Sequence, residues 1–438
     1  MKKATPLKLG MLMTKGSVLD QVLMEMLDHQ GVVYEVASAD RAEKYPIVLA
    51  ASRTAEAGMT KALGTSNESL LVVDEVVRLD EVLRCFSGRI EKKGDQMEAT
   101  VNQEESTLTG AIMERLSSMD LPLVTKWFWP NQADACCVLT HDIDWLTYSP
   151  FHRAVLDGQK DLIRLSSLAA KSFIRRKDYG WNIPEMVAME RKHGVKATYL
   201  FQTSYEDKKS HLKPSVDLLT AAGFELGLHA SHSSHKAIDA LKSEVECCRK
   251  VTGSIPDGVR YHILKFKVPD TWKIAAEAGL KYDATFSYNQ CFGFRSEVCF
   301  PYRPFDNGRL PITELPTGFM DWTALSRGMR GERAERILTQ VRQIVEKYHG
   351  VLTVNFHNTY INNQTFPDIF ELYESLLRTV TSGSYWVATA SECVAWWKLR
   401  AAAVVEPTVD DEGKVSCPGS PVPLVVQDDR KEKTLVVA

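Results

Sequence analysis

The sequence predicts an α/β fold whose main body is a parallel sheet or a (β/α) barrel. Three observations lead there. From about residue 135 to 397, short apolar runs of strand length alternate with stretches of helical apolar spacing. The acids, histidines and arginine best suited to chemistry fall at the ends of the apolar runs. Hydrophobic residues make up 44% and charged residues 25% of the 438, which excludes a disordered or fibrous chain.

The elements divide into three parts. Residues 1–125 read as an α/β accessory domain, with strands at Leu7–Met13, Val32–Val36, Ile47–Ala50 and Leu70–Val73. A helix at Val18–His29 carries apolar residues at Val18, Leu19, Val22, Leu23, Met26 and Leu27. No glycine-rich phosphate loop is found there, and Gly94–Ser106 reads as a polar loop. Residues 126–399 form the main unit, entered at Trp127-Phe128-Trp129-Pro130. Its strands are expected at Cys136–Leu139, Ala197–Gln202, Glu225–His229, Val259–His262, Ile312–Leu315 and Val351–Phe356. Helices are expected at Ile183–His193, Val216–Ala222, Ile238–Val251, Thr271–Ala278, Glu332–Tyr348 and Ile369–Val380. Such βα repeats build parallel sheets with right-handed crossovers. Residues 400–438 change character, with short valine-rich runs between acidic and Pro-Gly breaks, and read as a β-rich or disordered tail.

Composition narrows the partners. The formal net charge of −3 is spread without long runs, giving no case for nucleic acid or an anionic membrane. No apolar run approaches the roughly 20 residues of a membrane span. The N-terminal stretch lacks a clear cleavage site, so no signal peptide is read. Nine cysteines without a Cys-x-x-Cys pattern suit free thiols in a reducing cytoplasm. Cytoplasmic location is therefore expected, and the oligomeric state is left open.

Thr140-His141-Asp142-Ile143-Asp144 ends the first strand of the main unit with two acids two positions apart. Alone this could be a simple strand-end turn. Four further strand ends carry matching groups. His229 ends the second motif, with His232 and His235 close behind. Arg260 and His262 follow in Gly258-Val259-Arg260-Tyr261-His262, then Asp321-Trp322, then His357 after Val354-Asn355-Phe356. In a parallel barrel these ends converge on one face. The set suits hydrolysis by metal-activated water: a divalent ion on carboxylate and imidazole, a carboxylate base, and a histidine acid. Asp283–Phe286 and Gly293–Arg295 are expected to form a loop over the mouth, with Arg295 available to an anionic or sugar group.

On these motifs residues 135 to about 397 resemble the polysaccharide deacetylase superfamily, the NodB-homology domains of carbohydrate esterase family 4 type. The resemblance implies a distorted (β/α) barrel. It implies Asp142 as general base, Asp144 and His229 as metal ligands, and Arg260 as the arginine orienting the base. Asp321-Trp322 is similar to the family's Asp-Trp pair, placing Asp321 in the catalytic group and Trp322 with the substrate. His357 corresponds to the general acid. The implied cofactor is a divalent metal, with zinc expected, and the implied substrate is a carbohydrate or another acetylated small molecule.

Two departures stand out. The family's second metal histidine lies four residues after the first, and here that position is Ser233. His232 and His235, at three and six, are the candidates to complete the site. The arginine motif continues with Tyr261-His262 instead of Pro-Tyr, so His262 is either a replacement ligand or a substrate-binding pocket residue. The leading expectation is a metal-dependent amide hydrolase, an N-deacetylase of an acetylated amino sugar or glycan. The alternatives are a non-catalytic carbohydrate-binding barrel and a hydrolase of a non-sugar C–N bond.

Overall fold

The computed structural model describes residues 5–52, 69–89, 101–146, 181–202, 209–363, 365–428 and 431–436. After β1 (Thr5–Pro6) come β2 (Leu9–Leu12), β3 (Tyr34–Ala37), β4 (Val48–Ala50) and β5 (Leu70–Val72). The last four form a parallel sheet in the order β3-β2-β4-β5. Helix Val18–Gln30 crosses from β2 to β3 and buries Val22, Leu23, Met26 and Leu27, the stripe its spacing predicts. Ser17 caps it by accepting from the Asp20 N–H at 3.1 Å. Gly31 ends it at φ 69°, where a Cβ would lie 2.2 Å from the Lys126 carbonyl oxygen.

Helices Leu79–Phe86 and Glu104–Ser117 were not foreseen. The second begins inside the stretch read as a polar loop. Its start is acidic and polar, yet Leu108, Ile112 and Leu116 form a buried stripe four residues apart. Residues 94–100 of that stretch lie outside the described residues.

After β6 (Leu123–Lys126) the main sheet follows. It contains β7 (Ala135–Ile143), β8 (Thr198–Phe201), β9 (Glu225–Ala230), β10 (Gly258–Tyr261) and β11 (Tyr282–Asp283). It continues with β12 (Thr313–Glu314), β13 (Thr317–Met320), β14 (Val351–Asn355) and β15 (Tyr385–Ala388). The order is β12-β11-β10-β9-β8-β7-β14-β13, with β15 also on β7, and every pairing is parallel. This curled sheet with its covering helices is the distorted (β/α) barrel expected from the resemblance.

The edge strands β12 and β13 are consecutive in sequence but do not pair. Segment 284–302 bonds to both instead, through Ser287 Oγ on the Thr317 carbonyl, Gly293 N–H on the Gly318 carbonyl and a bridge between Tyr302 and Glu314. The stretch expected as a loop from Asp283 therefore starts as a strand, with Asp283 buried in β11.

Strands β16 (Thr408–Val409), β17 (Val415–Ser416), β18 (Leu424–Asp428) and β19 (Lys431–Val436) follow the barrel. β16 pairs with β1 and β18 with β6, both antiparallel. The tail thus closes onto N-terminal strands. Arg400, from helix Ala390–Ala402, reinforces the junction. It is fully buried and donates to the carbonyls of Asp28, His29, Lys126 and Trp127. Three of these groups lie where helix Val18–Gln30 ends and β6 ends, so one guanidinium holds both to the barrel. Among the described residues no helix is long and apolar enough to cross a membrane.

Candidate metal and proton-transfer site

Strand alternation decides which side chains meet. Residues two apart on a strand share a face. On β7, Thr140 and Asp142 face the barrel interior, and Asp144 continues that face past the strand end. Parallel register sets Arg260 of β10 beside His229 of β9, and Asn355 of β14 beside Thr140 of β7. His262 and His357 lie two residues beyond Arg260 and Asn355.

Asp142 is buried and fully bonded. Its Oδ1 accepts from Arg260 Nη1 at 2.9 Å and its Oδ2 from Asn355 Nδ2 at 2.7 Å. Burial pushes its pKa up, but the charges of His229, Arg260 and His357 outweigh this and hold it well below the usual carboxylate range. Arg260 is itself fixed. It donates to the Ala284 carbonyl and Thr140 Oγ1 at 2.9 Å and to Thr317 Oγ1 at 3.1 Å, without exposed surface.

His357 approaches the acids from β14, the strand paired with β7. Its Nε2 lies 3.8 Å from Asp142 Oδ2 and 4.0 Å from Asp144 Oδ2. Its Nδ1–H donates to Asp321 Oδ1 at 2.6 Å. Burial alone would lower its pKa, yet Asp321, with Asp144 and Asp142, raises it to about 9. A pKa raised in this way suits a general acid.

Asp144, His229 and His262 form a separate cluster, with one potential ligand atom from each lying within 4.8 Å of the others. His229 Nδ1–H donates to the Arg260 carbonyl at 2.9 Å, which turns Nε2 towards Asp144 Oδ1 at 3.3 Å. That buried Nε2 makes no hydrogen bond among the described residues. A buried imidazole nitrogen oriented from behind and left for another partner is how metal-binding histidines are held. His262 Nε2 lies 3.9 Å from the same Asp144 oxygen. It heads a tight turn in which Ile263 and Leu264 take φ of 54° and 50°, costing on the order of 1–2 kcal/mol each for residues with a Cβ. Two histidines and one carboxylate fit a zinc-type ion with an open position.

His232 and His235 are not part of this cluster. His232 is exposed, with its ring 6.5 Å from that of His262, and His235 turns its Nδ1–H onto the His232 carbonyl. The connection carrying them is tied outward by Glu244, which accepts from the Ser231 N–H, the Ser231 hydroxyl and the Ser234 hydroxyl. Ser233 is exposed.

Trp322 is 39% exposed and stacks on Tyr360, whose ring stands edge-on to His357 at 5.6 Å. Arg295 is half-buried over the Phe286 ring, 4.2 Å from its centre, and forms no ion pair with the acids of the site among the described residues. Sequence reasoning missed Asn355, Thr140, Thr317 and Tyr360. Asn355 could have been found, since it lies two residues before His357 and so shares its face.

The five motifs lie at the carboxyl ends of β7, β9, β10, β13 and β14 of one curled parallel sheet.

By sequence, the chain matches no family model and no curated protein. By fold it is similar to a Mycobacterium smegmatis protein provisionally assigned as a polysaccharide deacetylase, at 18% identity and TM-score 0.46, over 62% of this chain and 93% of that one. It is also similar to the allantoinase PuuE at 14% identity and TM-score 0.46, over 62% and 93% of the two chains. A wild-type CE4 family pseudoenzyme of Bacillus anthracis aligns at 15% identity and TM-score 0.34, over 61% and 66%. These likenesses concern the fold; chemistry must come from the side chains of this barrel.

Proposed function

We propose that the protein is a metal-dependent hydrolase of amide C–N bonds, acting as an N-deacetylase on an acetylated amino sugar or a related glycan. The observation that supports this reading is that Asp142 and His357, 3.8 Å apart, both stand beside the Asp144–His229–His262 cluster. In this reading those three residues hold the ion, zinc by the chemistry of the donor set. The ion, when bound, supplies Lewis-acid activation of water and of the scissile carbonyl.

Asp142 takes the proton of the attacking water. Its carboxylate is pinned by Arg260 and Asn355, so one orientation is kept throughout. His357 gives its proton to the departing nitrogen, and Asp321 stabilises the imidazolium before transfer. Trp322 and Tyr360 offer a flat apolar wall beside His357 for a sugar ring. All nine cysteines are free thiols, seven of them buried, which supports a reducing compartment and a small or lipid-linked precursor as substrate.

The test is acetate and amine release by the zinc-loaded protein from N-acetylated sugars and from non-sugar amides. Release from an acetylated sugar, lost in Asp142→Asn, supports the proposal. Release only from non-sugar amides moves the substrate class. Glycan binding without release from any substrate leaves a non-catalytic binding barrel.

A further inference from the structure

The residue between Thr140 and Asp142 faces the other way. Alternation along β7 turns His141 out of the barrel, beneath helices Ile183–Lys192 and Pro367–Ser382. It is completely buried, and so is Glu190. His141 Nδ1 lies 2.9 Å from the Phe356 carbonyl oxygen, a group that only accepts, so Nδ1 carries a hydrogen and donates. Its Nε2 shares a proton with Glu190 Oε1 at 2.7 Å. Glu190 also accepts from the hydroxyls of Tyr373 at 2.5 Å and Tyr199 at 2.8 Å.

Packing does not explain this group. A buried imidazole–carboxylate pair loses hydration that an apolar side chain of equal size would not forfeit. The gain lies at Phe356, the residue before His357. β14 ends at Asn355, but its attachment to β7 continues. The Phe356 N–H donates to the Thr140 carbonyl at 3.0 Å, and the Asn358 N–H reaches the Asp142 carbonyl at 3.4 Å. Between these contacts, the Phe356 carbonyl has no strand partner to match and is met by the His141 ring. The peptide carrying the proton donor is thus gripped on both sides by the strand that carries the base.

We propose that His141, held by Glu190, Tyr199 and Tyr373, is a positioning residue that sets His357 opposite Asp142 by clamping the Phe356 carbonyl. The catalytic consequence rests on the hydrolase reading; the clamp itself does not.

The test uses the full-length, zinc-loaded protein with two variants. In His141→Asn an amide N–H replaces Nδ1–H and can still reach the Phe356 carbonyl. In His141→Gln the amide replaces Nε2 and keeps Glu190 but not the clamp. Hydrogen exchange over residues 356–361 is expected to speed up in H141Q and to stay near wild type in H141N. With an N-acetylated hexosamine as probe, whose departing amine needs a proton, kcat is expected to fall about tenfold or more in H141Q at unchanged KM, and to recover in H141N. Equal exchange at 356–361 in both variants, or equal losses of kcat that follow thermal stability, would overturn the clamp. If H141Q does not fold, Tyr373→Phe loosens Glu190 and should speed the same local exchange; wild-type exchange there overturns the proposal. A wild-type protein inert towards the N-acetylated sugar counts against the hydrolase reading, while the exchange measurement still decides the clamp.

Discussion

Asp321 holds His357 twice, accepting its ring Nδ1–H at 2.6 Å and its backbone N–H at 2.7 Å. A third bond, from the Trp322 N–H at 2.6 Å, fixes the carboxylate. One acid thus sets both the direction of the imidazole and its proton affinity.

Replacing Asp321 by Asn removes the charge and keeps the shape. The basic limb of the pH–rate profile reports loss of the acid's proton, and His357 is held up at about 9. In Asp321→Asn that limb moves to lower pH, and kcat falls by roughly 10²-fold, the scale of a misplaced general acid. A profile with an unmoved basic limb would show that His357 is not the acid.

Arg260→Met leaves Asp142 buried with its charge uncompensated. Breaking a buried pair from one side costs on the order of 3–5 kcal/mol. Urea denaturation near neutral pH should show that loss, and Asp142→Asn added to Arg260→Met should restore part of it, because the two residues are in contact. Additive losses would mean that the guanidinium serves Thr140 and Thr317 rather than the base.

A second buried ion group, away from the site, makes stability depend on pH. Burial opposes charge on both Glu25 and His29, yet their mutual contact, with Glu105 on His29 and with Arg303 and Arg309 near Glu25, prevails. His29 is raised to about 9, so its contribution is complete below its unfolded value of about 6.5 and is lost as pH rises through 9. Glu25 is lowered to about 2, so its contribution is complete above about 4.5 and is lost as pH falls towards 2. The melting temperature of the wild type should therefore exceed that of His29→Leu most between about pH 4.5 and 6.5, with the gap closing on either side. A gap constant from pH 5 to 9 would contradict the ion pair.

Much of this architecture was legible because period-two and period-3.6 patterns report burial directly. The Glu332–Tyr348 helix and the β7, β9, β10 and β14 strands follow from apolar spacing alone, and the residues two apart from Asp142 and His357 follow from strand geometry. What was hidden depends on contacts between segments distant in sequence. β13 is too short and glycine-containing to read as a strand, and it exists because it pairs with Val351–Asn355. The tail becomes strand because β1 and β6 offer it partners. Likewise, spacing within one motif pointed to His232 and His235 and left His262 as either a replacement ligand or a pocket residue, whereas in the fold His262 comes beside Asp144 from β10, three strands along the sheet from β7. No local pattern encodes that meeting.

The central claim is that Asp144, His229 and His262 hold a catalytic ion. Crystals grown with zinc and measured at its absorption edge test it most directly. One ion is expected within about 2.0–2.2 Å of an Asp144 oxygen and of one ring nitrogen each of His229 and His262. An ion held by His232 or His235 in place of His262, or no ion at the Asp144–His229–His262 cluster, would contradict it.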